Sequence, residues 1–144
     1  MVMENTQADQ LAEIISHAIA PAFLLGAVSG FVAVLTGRMN NVIDRSRAIN
    51  AIPGTDADRM RLKGDLPRLE RRAKLLNEAI FLAVASAICT TVLVITAFAS
   101  AFIGRRHEVA VAVMFVLALV LMCASLVKLA LETRIGLDEH DHIG

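Results

Sequence analysis

The chain alternates between long stretches without a single Asp, Glu, Lys or Arg and stretches dense in them. Residues 14–37, 79–104 and 109–127 are free of all four. A helix needs about 20 mostly apolar residues to cross the hydrocarbon of a bilayer. The pattern therefore predicts three transmembrane helices, over residues 14–37, 79–104 and 109–131. Between the first two, Leu35, Met39, Val42, Ser46 and Ile49 keep a 4-3-4-3 spacing, and Leu62, Leu66, Leu69, Ala73, Leu76 and Ile80 keep 4-3-4-3-4. Two helical extensions with a seven-residue apolar repeat, joined through Pro53-Gly54, read as an antiparallel coiled-coil hairpin over residues 38–78. The fold class is an all-α integral membrane protein, one domain of three spans with helices 1 and 2 extended into a cytoplasmic hairpin.

Local signals refine the boundaries. Helix 1 is expected to start near Asn5 or Thr6, where Thr6 and Asp9 resemble a capping box, leaving residues 1–13 as an outer N-terminal segment. Pro21 lacks an N–H and should bend that helix. Thr55 with Asp58 can cap the return helix, and Asp65 can restart it after Gly64, placing Pro67 in a first turn where its missing donor matters least. Residues 105–108 form a short outer turn. Gly136 is expected to close helix 3 as a left-handed cap, before an acidic tail within residues 132–144.

Composition agrees with a membrane protein that also meets water. Of 144 residues 56% are hydrophobic and 19% charged, and the mean hydropathy is +0.63. The zero net charge hides segregation. Between Arg38 and Lys74 lie ten basic residues against the five acidic residues Asp44, Asp56, Asp58, Asp65 and Glu70. Cytoplasmic loops carry the excess of Lys and Arg, so this segment faces the cytoplasm, with the N-terminus outside and the C-terminus inside. Lys128 and Arg134 agree; Arg105 and Arg106 on the outer turn oppose, but are outnumbered. The first ten residues carry Glu4 and Asp9 and no Lys or Arg, unlike a signal peptide, so the first span is expected to be retained. Trp and Tyr are absent, which leaves anchoring to Arg and Lys.

Candidate chemistry is sparse. Arg38, Arg45, Arg47, Arg71, Arg72 and Lys74 form a basic hairpin surface suited to anionic lipid headgroups. Without interleaved aromatic residues it does not suit nucleic acid. Asp44, Glu78, Lys128, Glu132 and Arg134 form a polar latch at the membrane boundary, with Glu78 bonded to Arg134 or Lys128. Pro21, Gly26 and Gly30 mark a kink and a close-packing GxxxG surface on helix 1. Ala79, Ala83 and Ala87 on helix 2, and Ala118 with Ser125 on helix 3, are further packing surfaces, and Ser86 and Thr90 can bond back to carbonyls one turn earlier. Cys89 and Cys123 share a depth on adjacent helices and read as packing residues. The tail's His140 and His142 are a weak ligand signal. No catalytic triad, phosphate-binding loop or zinc motif occurs, so neither enzyme activity, cofactor nor metal is expected.

The runs Ile14-Ile15-Ser16-His17-Ala18-Ile19-Ala20-Pro21-Ala22 and Arg38-Met39-Asn40-Asn41-Val42-Ile43-Asp44-Arg45-Ser46-Arg47 resemble a bacterial membrane family known as domain of unknown function 2721. Leu69-Glu70-Arg71-Arg72-Ala73-Lys74-Leu75-Leu76-Asn77-Glu78-Ala79-Ile80 is similar to that family's second block, and the stretch from Phe115 to Glu132 is similar too. The resemblance implies three transmembrane helices in a bacterial inner membrane and no assigned activity.

Three functional readings follow. The first is a non-enzymatic scaffold or accessory subunit that forms a homo-oligomer and offers the hairpin to a cytoplasmic or membrane partner. The second is an anion-biased channel with helix 1 lining a pore and Arg38, Arg45 and Arg47 at its inner mouth. A lipid or redox enzyme is third, for want of any catalytic constellation.

Overall fold

A computed structural model of the chain describes residues 2–53, 57–103 and 108–137. Four helices account for its secondary structure: α1 (Val2–Asn50), α2 (Ala57–Lys63), α3 (Leu66–Ile103) and α4 (Glu108–Leu137). Three of them, α1, α3 and α4, are long and apolar enough to cross a membrane. By length and composition the chain is a multi-pass membrane protein. Gly54 of the expected turn, Thr55 of the expected cap, the outer turn at 104–107 and the tail at 138–144 lie outside the described residues.

Two boundaries differ from the sequence expectation. Helix α1 already starts at Val2 and runs unbroken through Pro21 and Gly37; the hydrophobic and Ala-rich neighbours of Pro21 sustain the helix despite its missing donor. Helix α4 runs through Gly136 to Leu137, so Gly136 is an interior residue and not a left-handed cap. The break before α3 does follow the local chemistry. The Asp65 carbonyl accepts from the Leu69 N–H at 3.1 Å, and Pro67 sits in the first turn of α3.

The core is built on a seven-residue period. On α1 the buried positions are Pro21, Val28, Leu35, Val42 and Ile49, each seven residues after the last. On α3 they are Leu69, Leu76, Ala79, Ala83, Ser86, Thr90 and Leu93, and on α4 Ala118, Ser125 and Glu132. A strict seven-residue repeat keeps one seam facing its partner only if the helices wrap left-handedly. The seam on α1 holds its phase from the apolar stretch into the charged one, where Val42 and Ile49 pack in the same cluster as Leu69 and Leu76.

Helix α3 is central. It packs extensively on both α1 and α4, whereas α1 and α4 meet at few points. Most large apolar side chains point away from this core, with Phe23, Phe81 and Val109 each more than 70% exposed. In water that would be an aggregation-prone surface; in a bilayer it is the expected lipid face. An apolar groove of about 500 Å³ runs between α1 and α3, lined by Val28, Val32, Val84, Ala87 and Ile88.

Candidate functional site

Helices α3 and α4 are joined by three polar rungs, each seven residues from the next on both helices. The Ser86 hydroxyl donates to the Ala118 carbonyl at 2.7 Å. The Ser125 hydroxyl donates the opposite way, to the Ala79 carbonyl at 2.6 Å. Each serine thus bonds the backbone opposite an alanine, and both alanines are fully buried. Small residues let two backbones approach, and the hydroxyls then satisfy themselves across the gap. Thr90 bonds back within α3, to the Ser86 carbonyl at 2.8 Å. Ser86 does not: its expected bond to a carbonyl of its own helix is replaced by the one to α4.

The third rung is charged and gathers all three long helices. The Glu132 side chain is fully buried, and each of its carboxylate oxygens receives one arginine. Oε2 accepts from Arg38 of α1, with Nη2 at 2.7 Å and Nε at 3.0 Å. Oε1 accepts from Arg72 of α3, with both Nη2 and Nε at 2.9 Å. A carboxylate offers about four lone-pair directions, and four donor nitrogens fill them. Removing a carboxylate from water costs several kcal/mol, and this degree of pairing offsets it. The helix seams deliver the three residues: Glu132 continues the stripe of Ala118 and Ser125, and Arg72 stands seven residues before Ala79.

Gly136 completes the clamp. It lies one turn after Glu132, and a Cβ built on it would stand 3.2 Å from Nη2 and 3.3 Å from Cζ of Arg72. The missing side chain makes room for the guanidinium where it lies against α4.

A second ion pair joins α3 and α4 on their outer side. Lys128 Nζ and Glu78 Oε2 are 2.6 Å apart, with side chains 36% and 38% exposed. Of the two partners anticipated for Glu78, the structure brings up Lys128. Arg134 is exposed and forms no ion pair with a described residue, and neither does Asp44. Arg38 and Arg72, grouped by sequence with the basic surface, are instead turned inward; Arg45, Arg47, Arg71 and Lys74 are exposed. Cys89 and Cys123 are free thiols, Cys89 half-buried and Cys123 exposed, so a buried packing role does not apply to Cys123. Gly26 and Gly30 face open space, with nothing within 4 Å of a Cβ at either. Among the described residues no three His, Cys, Asp or Glu side chains gather as metal ligands would.

Two guanidinium groups close on one carboxylate from two different helices. The arrangement is suited to holding three helices in fixed rotation.

Residues 18–141 match the family described as protein of unknown function (DUF2721). The chain belongs to this family. No curated protein and no solved structure matches the chain. The part of this DUF2721 protein that matches contains both serine rungs, the Arg38–Glu132–Arg72 clamp, Gly136 and the Lys128–Glu78 pair. The first turns of α1 precede it.

Sequence reasoning missed the convergence on Glu132 and the purpose of Gly136. One signal was present: Ala118, Ser125 and Glu132 recur every seven residues in an otherwise bulky helix, and Gly136 follows on the same face.

Proposed function

We propose that this protein is a non-enzymatic scaffold or accessory subunit of a bacterial inner membrane, with its N-terminus outside and its C-terminus in the cytoplasm. Its working part is a basic helical hairpin standing off the cytoplasmic surface. The observation that carries the reading is the continuation of the α1–α3 core past the apolar stretches, through Val42, Ile49 and Leu69. At about 1.5 Å per residue, the 49 residues of α1 span about 70 Å. That far exceeds the roughly 30 Å of hydrocarbon. A packed core in a stretch whose outward faces carry Arg47, Arg68, Arg71 and Lys74 is built for water and for an anionic surface or partner. The clamp at Glu132 would fix the hairpin's rotation against the spans.

The channel reading draws less support, because the Arg38 guanidinium that would ring a pore mouth is turned on to Glu132.

Accessibility tests the proposal. In a Cys89→Ser/Cys123→Ser background, Met60→Cys should react with a membrane-impermeant maleimide in inverted vesicles and stay unlabelled in intact cells. A photo-cross-linker at position 60 should capture a partner, and Arg68→Glu with Arg71→Glu should abolish the capture. Labelling from outside, or capture unaffected by charge reversal, would sink the reading.

A further inference from the structure

Helix α1 carries a second seam that no described residue fills. Opposite the face of Val28, Leu35 and Val42, the residues Gly26, Gly30, Ala33 and Gly37 are followed by Asn40, Asp44 and Arg47. Their spacing is 4-3-4-3-4-3, the same period as the filled seam, and all seven are exposed. A Cβ at Gly26, Gly30 or Gly37 would meet nothing within 4 Å. Neither Asp44 nor Arg47 is ion-paired with a described residue.

We propose that this seam receives the same seam of a second copy, side by side and parallel, about a two-fold axis along the membrane normal. Copies of one chain insert in one orientation, so such an axis sets each residue against its own counterpart. The glycines and Ala33 then allow the backbones to approach closely within the bilayer. Asn40 meets Asn40 of the second copy, and an amide is its own complement because it both donates and accepts. A single Asn at such a position fixes register and favours two strands. One turn further, Asp44 meets Asp44 of the second copy, and Arg47, one layer on, reaches back across the seam to that carboxylate, so each copy's guanidinium answers the other's charge and the symmetry makes the pair twice. A seven-residue period selects a left-handed crossing, like that of the filled seam.

Charge complementarity decides the occupant. Lipid could cover the glycines, but anionic headgroups would repel Asp44, whereas a second copy answers both Asp44 and Arg47. The inference deepens the scaffold reading and rests on it for orientation, and it names this protein's first partner as itself. The dimer would carry two basic hairpins side by side.

The test uses the full chain in membranes, in the Cys89→Ser/Cys123→Ser background. Under mild oxidation Ala33→Cys and Asn40→Cys should form covalent dimers, while their neighbours Val34→Cys and Asn41→Cys, which face elsewhere, should stay monomeric. Adding Asp44→Arg to Ala33→Cys should lower the dimer yield by roughly tenfold, as expected when like charges replace a pair. Adding Arg47→Asp alone should do the same, and the two reversals together should restore the yield. Equal cross-linking at all four positions, no dimer from a chain that still melts cooperatively, or no rescue by the double reversal would each overturn the proposal. A dimer whose hairpin is labelled from outside would sink the scaffold reading and leave the seam standing; a monomer that captures a cytoplasmic partner would do the reverse.

Discussion

Gly136 is the opening through which Arg72 reaches Glu132: a methyl group at position 136 would press on the guanidinium at 3.2 Å. An alanine inside a helix ordinarily gains about 1 kcal/mol over glycine. Here that gain should be cancelled, because the arginine is pinned and cannot retreat without loosening its hold on the carboxylate. Gly136→Ala is expected to leave the melting temperature in detergent unchanged or lower, and Gly136→Leu to lower it clearly. With Arg72→Gln already in place, Gly136→Ala should raise it. A rise from Gly136→Ala alone would show that the contact carries no strain.

Loss of Glu132 leaves two cations converging on one buried position with no anion between them. Glu132→Gln should cost about 3–5 kcal/mol, the range for breaking a buried pair from one side. Arg72→Gln should cost more than Arg38→Gln, since their side chains are 17% and 35% exposed. Glu78→Gln, at a pair more than one-third open to solvent, should cost far less than Glu132→Gln, because solvent screens an exposed pair. Unfolding in a graded denaturing detergent gives the order, and a Glu78 effect equal to that of Glu132 would contradict it.

The two serine rungs should be modest and independent. Each hydroxyl-to-carbonyl bond between spans contributes about 0.6 kcal/mol, and up to about 1.7. Ser86→Ala and Ser125→Ala should therefore each destabilise slightly. Seven residues separate the rungs, about 10 Å along the helix, so the double variant should be close to additive. Ala79→Leu or Ala118→Leu should be far worse, because either forces the two backbones apart. Unfolding of the four variants beside the double serine variant checks this.

Size alone should not predict the effect of apolar truncations. Leu35→Ala and Leu76→Ala empty fully buried positions and should cost about 2–5 kcal/mol each. Phe23→Ala and Phe81→Ala remove larger side chains that are more than 70% exposed, and should leave the melting temperature nearly unchanged. Comparable losses from Phe81→Ala would mean that its face is covered by protein.

The parts of the fold that could be read from the sequence are those set by one-dimensional spacing. The runs without charge delimit three helices able to span a membrane, and the 4-3 periodicity around Leu35, Val42, Leu69 and Leu76 marks the residues that become the core. Asp65 and Pro67 locate the start of α3 because capping and proline chemistry are local. The site was less legible for the opposite reason. Arg38, Arg72 and Glu132 lie 94 and 60 residues apart along the chain, and their meeting depends on the relative rotation of three helices. Counting charges placed the two arginines on a surface; only the azimuth shows that they turn inward. Gly136 misled in the same way, since a glycine near a helix end usually ends it, and the neighbour that requires it here belongs to another helix.

The unbroken period along α1 ties the direction each residue faces to a strict residue count. Inserting one residue between Val28 and Leu35 would swivel everything downstream by about 100°, carrying Arg38 away from Glu132 while Val42 and Ile49 left their sockets. A seven-residue insertion would preserve every azimuth. By the same geometry, the number of residues between Pro21 and Ile49 can change only in sevens if both are to stay on the buried side.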